Sequence, residues 1–478
     1  MEFAHRGVIE GFYGPPYTHA DRLWLIERLG AWGMNRYVYA PKDDPLHRAQ
    51  WRDPYPAEVL AEFRQLIEVG QRAGVEVGFA LSPGLSMEYG SADDVRALQA
   101  KFRGFAALGA RFFCLALDDV PTELLHAADQ ARFGSLAAAH VAVAHAVAEG
   151  LDPTAMLWVV PTDYVGVAPT DYLEHLGAEL AASIEIGWTG RTVISPTITS
   201  AEAAARAATL RRRLLIWDNV PVADGPMRPM LHLGPFVGRD ADLAQHVSGF
   251  ILNPMAQPRA SGVALRTAAD YLRDPAAYQP EAAWQAAVAE LGRGAGAAFA
   301  LFAAAHRFSA LLPDDRDVEL EAAVAWLRAA PAGQAAAAVA ALRPLLDARV
   351  AASETVRGGL DDRELAREIE PWLAAHRGES ERMAAALDLL EALHADGSAG
   401  LQQVWALFRC EGMMTRIAPS NMASYGPRRV LYPQLGSLRD DGAAFGDDPA
   451  LFRDRCLTDE LVRFAEESAL RRLGGKVG

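Results

Sequence analysis

Two adjacent aspartates, Asp118 and Asp119, follow an apolar run at 112–117. A run of this length and composition predicts a buried strand, so both carboxylates lie where that strand ends. Successive side chains of a regular strand point to opposite faces, and both groups reach one pocket only if the backbone bends here. Two close, partly dehydrated carboxylates repel each other, which raises one pKa and suits that group to donate a proton near neutral pH. The pair therefore indicates acid–base chemistry; the alternative is a solvated strand end at which Asp119 opens a turn before Pro121.

The segments around this pair predict repeated βα units. From residue 7 to about 275, short apolar or β-branched runs alternate with segments of helical period. The predicted strands are 7–12, 36–40, 75–81, 112–117, 156–160, 184–188, 214–217 and 249–252. The predicted helices are 18–32, 56–73, 92–108, 136–149, 171–182, 201–212 and 261–272. Eight strands with right-handed crossovers in this length predict an α/β fold, a (β/α)8 TIM barrel over 1–275, with its chemistry at the C-terminal strand ends.

Polar and aromatic residues gather at those predicted strand ends. They are Glu10, Lys42, Asp43, Asp44, Asp118, Asp119, Asp163, Tyr164, Trp188, Thr189, Asp218, Asn219 and Asn253. Because Asp, Asn and Thr are also favoured in turns and at helix N-termini, we interpret Asp43, Asp44 and Asp163 as structural. Lys42 has two interpretations, a cation of the pocket or a surface partner of Asp43 or Asp44.

Beyond residue 275 the pattern becomes Ala-rich and helical. It predicts a mainly α-helical C-terminal domain over 281–415, followed by a tail over 416–478 that closes with a helix near 457–473. The candidate helices of the domain are 281–291, 319–329, 334–350, 363–376, 380–395 and 400–408. The glycines at 292–296 follow a helix instead of a strand and lack the third correctly spaced glycine of a dinucleotide loop, so they predict a helix break. We expect this domain to support a homodimer and the tail to border the active-site cleft.

Composition excludes several classes of function. The chain has 478 residues and a net charge of −15, and its basic cluster at 211–213 is too short to follow a phosphate backbone. Nucleic acids and membranes are therefore not expected partners, and no stretch of about 20 residues is apolar enough to span a bilayer. Three distant cysteines form neither a disulfide framework nor a metal-ligand spacing, and the N-terminus lacks an apolar signal region, so we predict a cytoplasmic protein. No cofactor or metal is predicted, because His140 and His145 lie five apart on a helix.

The ordered motifs of the first 270 or so residues resemble those of family 84 of the glycoside hydrolases. The matching blocks are Gly-Val-Ile-Glu-Gly-Phe-Tyr-Gly at 7–14, Tyr-Ala-Pro-Lys-Asp-Asp at 39–44, Trp-Arg at 51–52, Leu-Asp-Asp at 117–119, Pro-Thr-Asp-Tyr at 161–164, Trp-Thr-Gly at 188–190, Trp-Asp-Asn at 217–219 with Asp224, Leu-Gly-Pro at 233–235 and Leu-Asn-Pro at 252–254. The family comprises β-N-acetylglucosaminidases, including the O-GlcNAcases. The resemblance implies a retaining mechanism in which the 2-acetamido oxygen of the substrate attacks C1 and forms an oxazoline.

The resemblance also implies a role for each matching residue. Asp118 would accept the acetamide N–H, and Asp119 would act as general acid and then base. Tyr164 would bond the acetamide oxygen or reaction centre, and Trp217 would wall the acetyl pocket. The family positions that hold sugar hydroxyls match Gly11, Lys42, Asp224 and Asn253, and Asn219 matches one on the leaving-group side. This scheme needs no enzyme nucleophile, which makes Glu10 a poor candidate for one.

The resemblance implies a GlcNAc-bearing glycoside or glycopeptide as substrate, with O-GlcNAc on Ser or Thr as the expected linkage. Two alternatives stay open at this point. One is a hyaluronidase-like glycosidase with a more open cleft. The other is a non-catalytic GlcNAc-binding protein, although the presence of Asp118, Asp119 and Tyr164 favours an enzyme.

Overall fold

Eight parallel strands close into a barrel in the N-terminal part of the chain. The computed structural model describes residues 2–228, 230–307, 312, 317–394, 428–431 and 453–472. The strands are β1 His5–Glu10, β2 Arg36–Tyr39, β3 Glu76–Leu81, β4 Phe112–Ala116, β5 Met156–Val160, β6 Ile184–Trp188, β7 Leu214–Asp218 and β8 Val247–Leu252. Each strand pairs with the next, and β1 closes the ring on β8 with Gly7 opposite Ile251. The predicted (β/α)8 barrel is confirmed.

α-Helices lie between the strands and after the last one. They are α1 His19–Ala31, α2 Ala57–Ala73, α3 Ala92–Ala107, α4 Ala127–Phe133, α5 Leu136–Glu149, α6 Asp171–Glu179, α7 Ser200–Leu210 and α8 Pro258–Arg273. Five of these helices have a Ser or Thr at the N-cap. The hydroxyl oxygen of each accepts a hydrogen bond from a backbone N–H of the first turn; the residues are Thr18, Ser91, Ser135, Thr170 and Thr199. All seven predicted helices are present. Helix α4, which has seven residues and no side-chain cap, was not predicted.

Aromatic rings fill the barrel interior. The ring of Phe112 stacks on that of Trp158 at 6.4 Å between centroids, and Trp158 lies 5.8 Å from Trp217. The strands are buried on both faces, which explains their nearly continuous apolar sequences. This column of rings leads from β4 to Trp217 near the C-terminal end of β7.

The arginine cluster at 211–213 serves the fold. The Arg212 guanidinium donates to the carbonyl oxygens of Leu180, Ala181 and Ile184 at 2.8, 2.9 and 2.8 Å, where the chain passes from α6 into β6. Arg213 donates to the carbonyl oxygens of Ala244 and Val247. Burial lowers the pKa of Arg212 from its ordinary value, which agrees with a guanidinium held among backbone carbonyls.

The chain divides into two compact units, and the barrel with residues up to 225 and 236–283 belongs to the first. The second contains most of the remaining helices and a short antiparallel strand pair. Its elements are α9 Pro280–Leu291, which begins in the first unit, α10 Ala297–Ala304, α11 Val318–Ala329, α12 Ala335–Gly359, α13 Arg363–Glu368, α14 Glu370–His394, β9 Arg428–Leu431, β10 Arg453–Cys456 and α15 Leu457–Arg472. Buried apolar side chains of α11, α12, α14 and α15 form one core cluster. The predicted mainly helical C-terminal region is confirmed.

Some predictions in this region are wrong in detail. The sequence indicated helices at 363–376 and 380–395, whereas the structure breaks at Ile369 and then continues as the single helix α14. Helix α10 was not predicted, and α12 runs nine residues beyond the predicted end at 350. The predicted break at 292–296 separates α9 from α10. The candidate helix 400–408 lies outside the described residues, and the boundaries near 275, 281 and 415 stay predictions. No helix in the described part of the chain is long and apolar enough to cross a membrane.

Candidate active site

The backbone leaves strand geometry directly after β4, as the adjacent aspartates require. Strand β4 ends at Ala116, and Asp119 has a φ of 51°, in the left-handed region that side-chain-bearing residues seldom adopt. The bend brings both carboxylates to one cation. Asp118 Oδ2 lies 2.5 Å and Asp119 Oδ2 3.8 Å from Lys42 Nζ. The alternative of a solvated strand end does not fit this geometry.

Lys42 is a buried cation of this pocket. Its side chain is 3% exposed, while neighbouring Asp43 is exposed and Asp44 accepts hydrogen bonds from the hydroxyls of Tyr39 and Tyr55. Burial acts to lower the pKa of Lys42, but the charges of Asp118 and Asp119 outweigh it and raise the pKa above its ordinary value. The interpretation of Lys42 as a surface partner of Asp43 or Asp44 is therefore wrong.

Asp118 has one oxygen in the ion pair and one without a partner. Oδ2 accepts from Lys42, whereas Oδ1 is buried and has no hydrogen-bond partner among the described residues. Leaving a buried acceptor unsatisfied costs about 1–3 kcal/mol, so such an atom marks a place where a ligand donor would be stabilised.

Both oxygens of Asp119 are held by phenols. Tyr13 donates to Oδ2 at 2.7 Å and Tyr164 donates to Oδ1 at 3.2 Å. Burial alone would raise the pKa of Asp119, but Lys42 and the two hydroxyls outweigh burial and lower it below the ordinary value. The expected upward shift in the pKa of the proton donor is thus wrong for Asp119, because Lys42 Nζ lies within 3.8 Å of its carboxylate. Burial and the charge of Asp119 raise the pKa of Tyr13 to about 12 and that of Tyr164 still further, so both remain donors.

A second polar group links the ends of β1, β7 and β8. The Trp217 indole N–H donates to Asn219 Oδ1 at 2.8 Å, and Asn253 Nδ2 donates to the same oxygen at 3.0 Å. The backbone N–H of Gly11 lies 3.2 Å from Asn253 Oδ1. A Cβ on Gly11 would come within 2.4 Å of the Trp217 ring, so this close approach requires glycine.

The two groups are joined through Trp217 and Tyr13. Lys42 Nζ lies 5.5 Å from the centre of the Trp217 ring, and Asp224 accepts the backbone N–H of Tyr13 at 2.9 Å. The structure therefore brings together all the residues predicted for the site, which are Gly11, Lys42, Asp118, Asp119, Tyr164, Trp217, Asn219, Asp224 and Asn253.

Other candidates at the strand ends are occupied by structural contacts. Arg22 binds both oxygens of Glu10 at 2.8 Å, and Tyr37 also donates to this fully buried carboxylate. Arg239 forms a two-bond ion pair with Asp218. Among the remaining candidates, Asp163 accepts from Thr170, and the indole of Trp188 donates to the Gly166 carbonyl.

Sequence reasoning assigned no role to two residues that contact Asp119. One is Tyr13, which lies inside a motif block and was not singled out. The other is Arg48, which donates to the Tyr13 hydroxyl at 3.0 Å and to the Asp119 carbonyl oxygen at 3.1 Å. Its position between the motif blocks at 39–44 and 51–52 could have indicated that Arg48 lies near the site.

The described residues contain no cluster of three or more His, Cys, Asp or Glu side chains that could hold a metal ion. His140 contacts the hydroxyls of Tyr172 and Tyr89 at 2.8 and 3.0 Å, and His145 accepts the backbone N–H of Ala181. Both histidines thus have structural partners, and the absence of a metal or cofactor stays a prediction.

Known proteins match both the sequence and the fold. The sequence profile of the beta-N-acetylglucosaminidase family matches residues 6–304. Protein O-GlcNAcase of Rattus norvegicus is 33% identical over 273 residues, which are 56% of this chain and 30% of that protein, and the Mus musculus protein gives the same values. The chain thus matches less than a third of the length of these curated relatives.

Two solved structures extend the match along the chain. A mutant of the O-GlcNAc hydrolase of Thermobaculum terrenum superposes with a TM-score of 0.85 at 29% identity, covering 99% of this chain and 97% of that one. CpGH84B superposes with a TM-score of 0.75 at 25% identity, covering 88% and 74%. The sequence profile and these structural matches place the chain in a family of glycoside hydrolases. The chain belongs to the β-N-acetylglucosaminidase family, family 84 of the glycoside hydrolases.

Proposed function

We propose that this chain is a retaining exo-β-N-acetylglucosaminidase that removes terminal β-linked GlcNAc with the help of the substrate's own acetamide. The observation that carries this proposal is Asp118, whose Oδ2 pairs with Lys42 and whose buried Oδ1 has no hydrogen-bond partner among the described residues. A carboxylate with one free acceptor suits an acetamide N–H, and its negative charge opposes the positive charge that develops on that nitrogen.

In the first step the acetamide oxygen bonds to C1 while the bond from C1 to the glycosidic oxygen breaks. Asp119, protonated in the substrate complex, gives its proton to the departing oxygen, so the products are a free alcohol and a bound oxazolinium ion whose N–H is kept and donates to Asp118. The acceptor on Asp118 orients the acetamide for this attack, which converts binding energy into alignment of the reacting atoms.

In the second step Asp119, now a carboxylate, takes a proton from water as the water oxygen bonds to C1. The bond from C1 to the oxazoline oxygen breaks and the acetamide is restored, so two inversions retain the configuration at C1. The phenols of Tyr13 and Tyr164 stabilise the ionised form of Asp119, which is the form that accepts the proton in this step.

The remaining site residues hold the sugar in this proposal. Tyr164 bonds the acetamide oxygen or the reaction centre, and Trp217 walls the acetyl methyl. The sugar hydroxyls bind to Gly11, Lys42, Asp224 and Asn253, with Asn219 on the leaving-group side. Glu10 is excluded as nucleophile because Arg22, Tyr37 and the backbone N–H of Tyr17 occupy its oxygens.

For the aglycone we propose Ser or Thr of a glycopeptide. The support is the identity of the similar proteins, which are an O-GlcNAcase and an O-GlcNAc hydrolase. Release of GlcNAc from an O-GlcNAc peptide but not from hyaluronan oligosaccharides would favour this over a hyaluronidase. A homodimer through the helical domain and a cytoplasmic location are retained as part of the proposal, and light scattering and cell fractionation would test them.

The deciding experiment compares aryl β-glucosaminides that carry N-acetyl, N-fluoroacetyl and N-trifluoroacetyl groups. Fluorine withdraws electrons from the oxygen that attacks C1, so kcat/KM should fall steeply along the series. A flat series would mean that a group of the enzyme attacks the sugar. Binding of GlcNAc without turnover of any member would instead favour a non-catalytic sugar-binding protein.

A further inference from the structure

Arg48 lies beside Asp119, and the mechanism above does not use it. It belongs to the loop between β2 and α2, and its guanidinium reaches two different groups. Nη1 donates to the Tyr13 hydroxyl oxygen at 3.0 Å, and Nη2 donates to the backbone carbonyl oxygen of Asp119 at 3.1 Å. The guanidinium carbon also lies 5.6 Å from the centre of the Tyr13 ring.

The loop that carries Arg48 is anchored on both sides of this residue. His47 is fully buried, its Nδ1 contacts the Ala80 carbonyl at 2.9 Å, and its own carbonyl accepts from Ser82 N at 3.0 Å. On the other side, Trp51 is fully buried three residues after Arg48. Fixed neighbours let the long arginine side chain present its two donors from a defined origin.

The contact with Tyr13 determines where the phenolic hydrogen points. An arginine has only donors, so the Tyr13 oxygen must accept from Arg48, and its single hydrogen is then left for Asp119 Oδ2 at 2.7 Å. The second donor captures the carbonyl of a residue with a φ of 51°, a conformation in which a side-chain-bearing residue needs support. The positive charge of Arg48 also contributes to lowering the pKa of Asp119, after Lys42 and the two phenols.

We infer that Arg48 is a positioning residue for the general acid: it directs the Tyr13 hydroxyl at the Asp119 carboxylate and secures the left-handed turn that aims that carboxylate. This inference rests on the proposed function, since it gives Arg48 a task only where Asp119 transfers a proton. Through both contacts Arg48 acts on Asp119 rather than on the sugar.

The test compares Arg48→Met, which removes charge and donors, with Arg48→Lys, which keeps the charge. A lysine ammonium cannot reproduce the fork that binds two groups at once. Arg64→Met is the matched control, because Arg64 is an exposed arginine of α2. For each variant kcat/KM is measured across pH with an activated aryl N-acetyl-β-glucosaminide and with an alkyl one, whose leaving group needs protonation.

Arg48→Met should lose about 100-fold on the alkyl substrate, the order expected when a catalytic group is misplaced by about 1 Å, and only a few-fold on the activated one. The alkaline limb of its pH profile of kcat/KM should move to higher pH. Loss of the cation raises the pKa of Asp119, so this acid stays protonated up to a higher pH. Arg48→Lys should keep the limb near that of the wild type yet still lose activity on the alkyl substrate. Arg64→Met should match the wild type.

Equal losses of Arg48→Met on both substrates with an unmoved pH profile would reduce Arg48 to a fold-stabilising residue and overturn the inference. No loss would overturn it as well. If the wild type turned over no glucosaminide, the proposed function would fail, and the inference would be judged by carboxyl 13C NMR titration with Asp119→Asn as assignment control. A higher pKa of Asp119 in folded Arg48→Met then supports the contact network, and an unchanged one refutes it.

Discussion

Replacing Asp118 by Asn is the sharpest test of how the pocket works. The carboxylate lies 2.5 Å from Lys42 Nζ, and the two side chains are only 7% and 3% exposed. At an effective dielectric constant near 20, Coulomb's law gives an attraction of about 7 kcal/mol, much of which offsets the desolvation of both ions. Removing one partner of such a buried pair costs about 3–5 kcal/mol of unfolding free energy.

The same substitution should damage catalysis for a geometric reason. A carboxylate offers an acceptor to Lys42 and another to the acetamide N–H, whereas an asparagine must turn its NH2 toward one of these donors. Loss of one fixed stabilising group of this kind costs about 10²–10³ in rate. Because the acetamide attacks C1 in the same step that expels either kind of leaving group, activated and poor leaving groups should suffer alike.

The assay measures kcat/KM on an activated aryl and on an alkyl N-acetyl-β-glucosaminide, together with the urea midpoint of unfolding. Asp43→Asn is the matched control, since it removes an exposed carboxylate next to Lys42 in the sequence. The reasoning is refuted if Asp118→Asn keeps more than about a third of wild-type activity on the activated substrate, or if its urea midpoint equals that of Asp43→Asn.

Three further outcomes are expected. Asp119→Asn should lose about 10²–10⁴ in kcat/KM on poor leaving groups and far less on activated ones, and a uniform loss would contradict its role as acid. Gly11→Ala should cost at least tenfold in kcat/KM, because its Cβ would lie 2.4 Å from the Trp217 ring; unchanged kinetics would show that the ring moves freely. Burial lowers the pKa of His140 to about 3, so as pH falls the imidazole is protonated first in the unfolded chain. The free energy of unfolding should therefore fall by about 1.4 kcal/mol per pH unit below about pH 6.5. His140→Gln should flatten the fall of the urea midpoint between pH 7 and 5, and parallel curves would exclude this account.

Much of the barrel was predictable because parallel strands buried on both faces leave short, nearly continuous apolar runs. Each predicted strand overlaps an observed one, and the ends differ by two residues at most. The bend after β4 was also predictable, since two adjacent carboxylates cannot share a pocket on a regular strand, and Asp119 indeed has a left-handed backbone. These features follow from local sequence and chain geometry.

The electrostatics of the site depended on distances that no sequence pattern provides. The pKa of Asp119 is lowered because Lys42, 77 positions earlier in the chain, lies 3.8 Å from its carboxylate. The roles of Arg48 and Tyr13 were not predicted for the same reason. Each residue is distant from Asp119 in sequence and contacts it only in the folded barrel. Charges can be counted along a sequence, but their separations are set by tertiary structure.

The error in α14 has a different cause. The sequence pattern indicated two helices, 363–376 and 380–395, on either side of Gly378, and a glycine weakens a helix by about 1 kcal/mol. In the structure a buried stripe continues through this position at helical spacing, from Leu373 and His376 to Ser380 and Met383. Burial of that stripe outweighs the propensity of one glycine.

The indole of Trp217 fixes the orientation of two carboxamide side chains of the site. An indole N–H can only donate, so Asn219 must offer its oxygen there and turn its own NH2 to the Val193 carbonyl at 2.7 Å. The same oxygen obliges Asn253 to donate with its NH2 and to keep its oxygen toward Gly11 N. Because the indole can only donate, it fixes which end of each carboxamide is the oxygen and which is the NH2. The entropy cost of orienting both side chains is therefore part of folding and does not reduce the affinity for the proposed substrate.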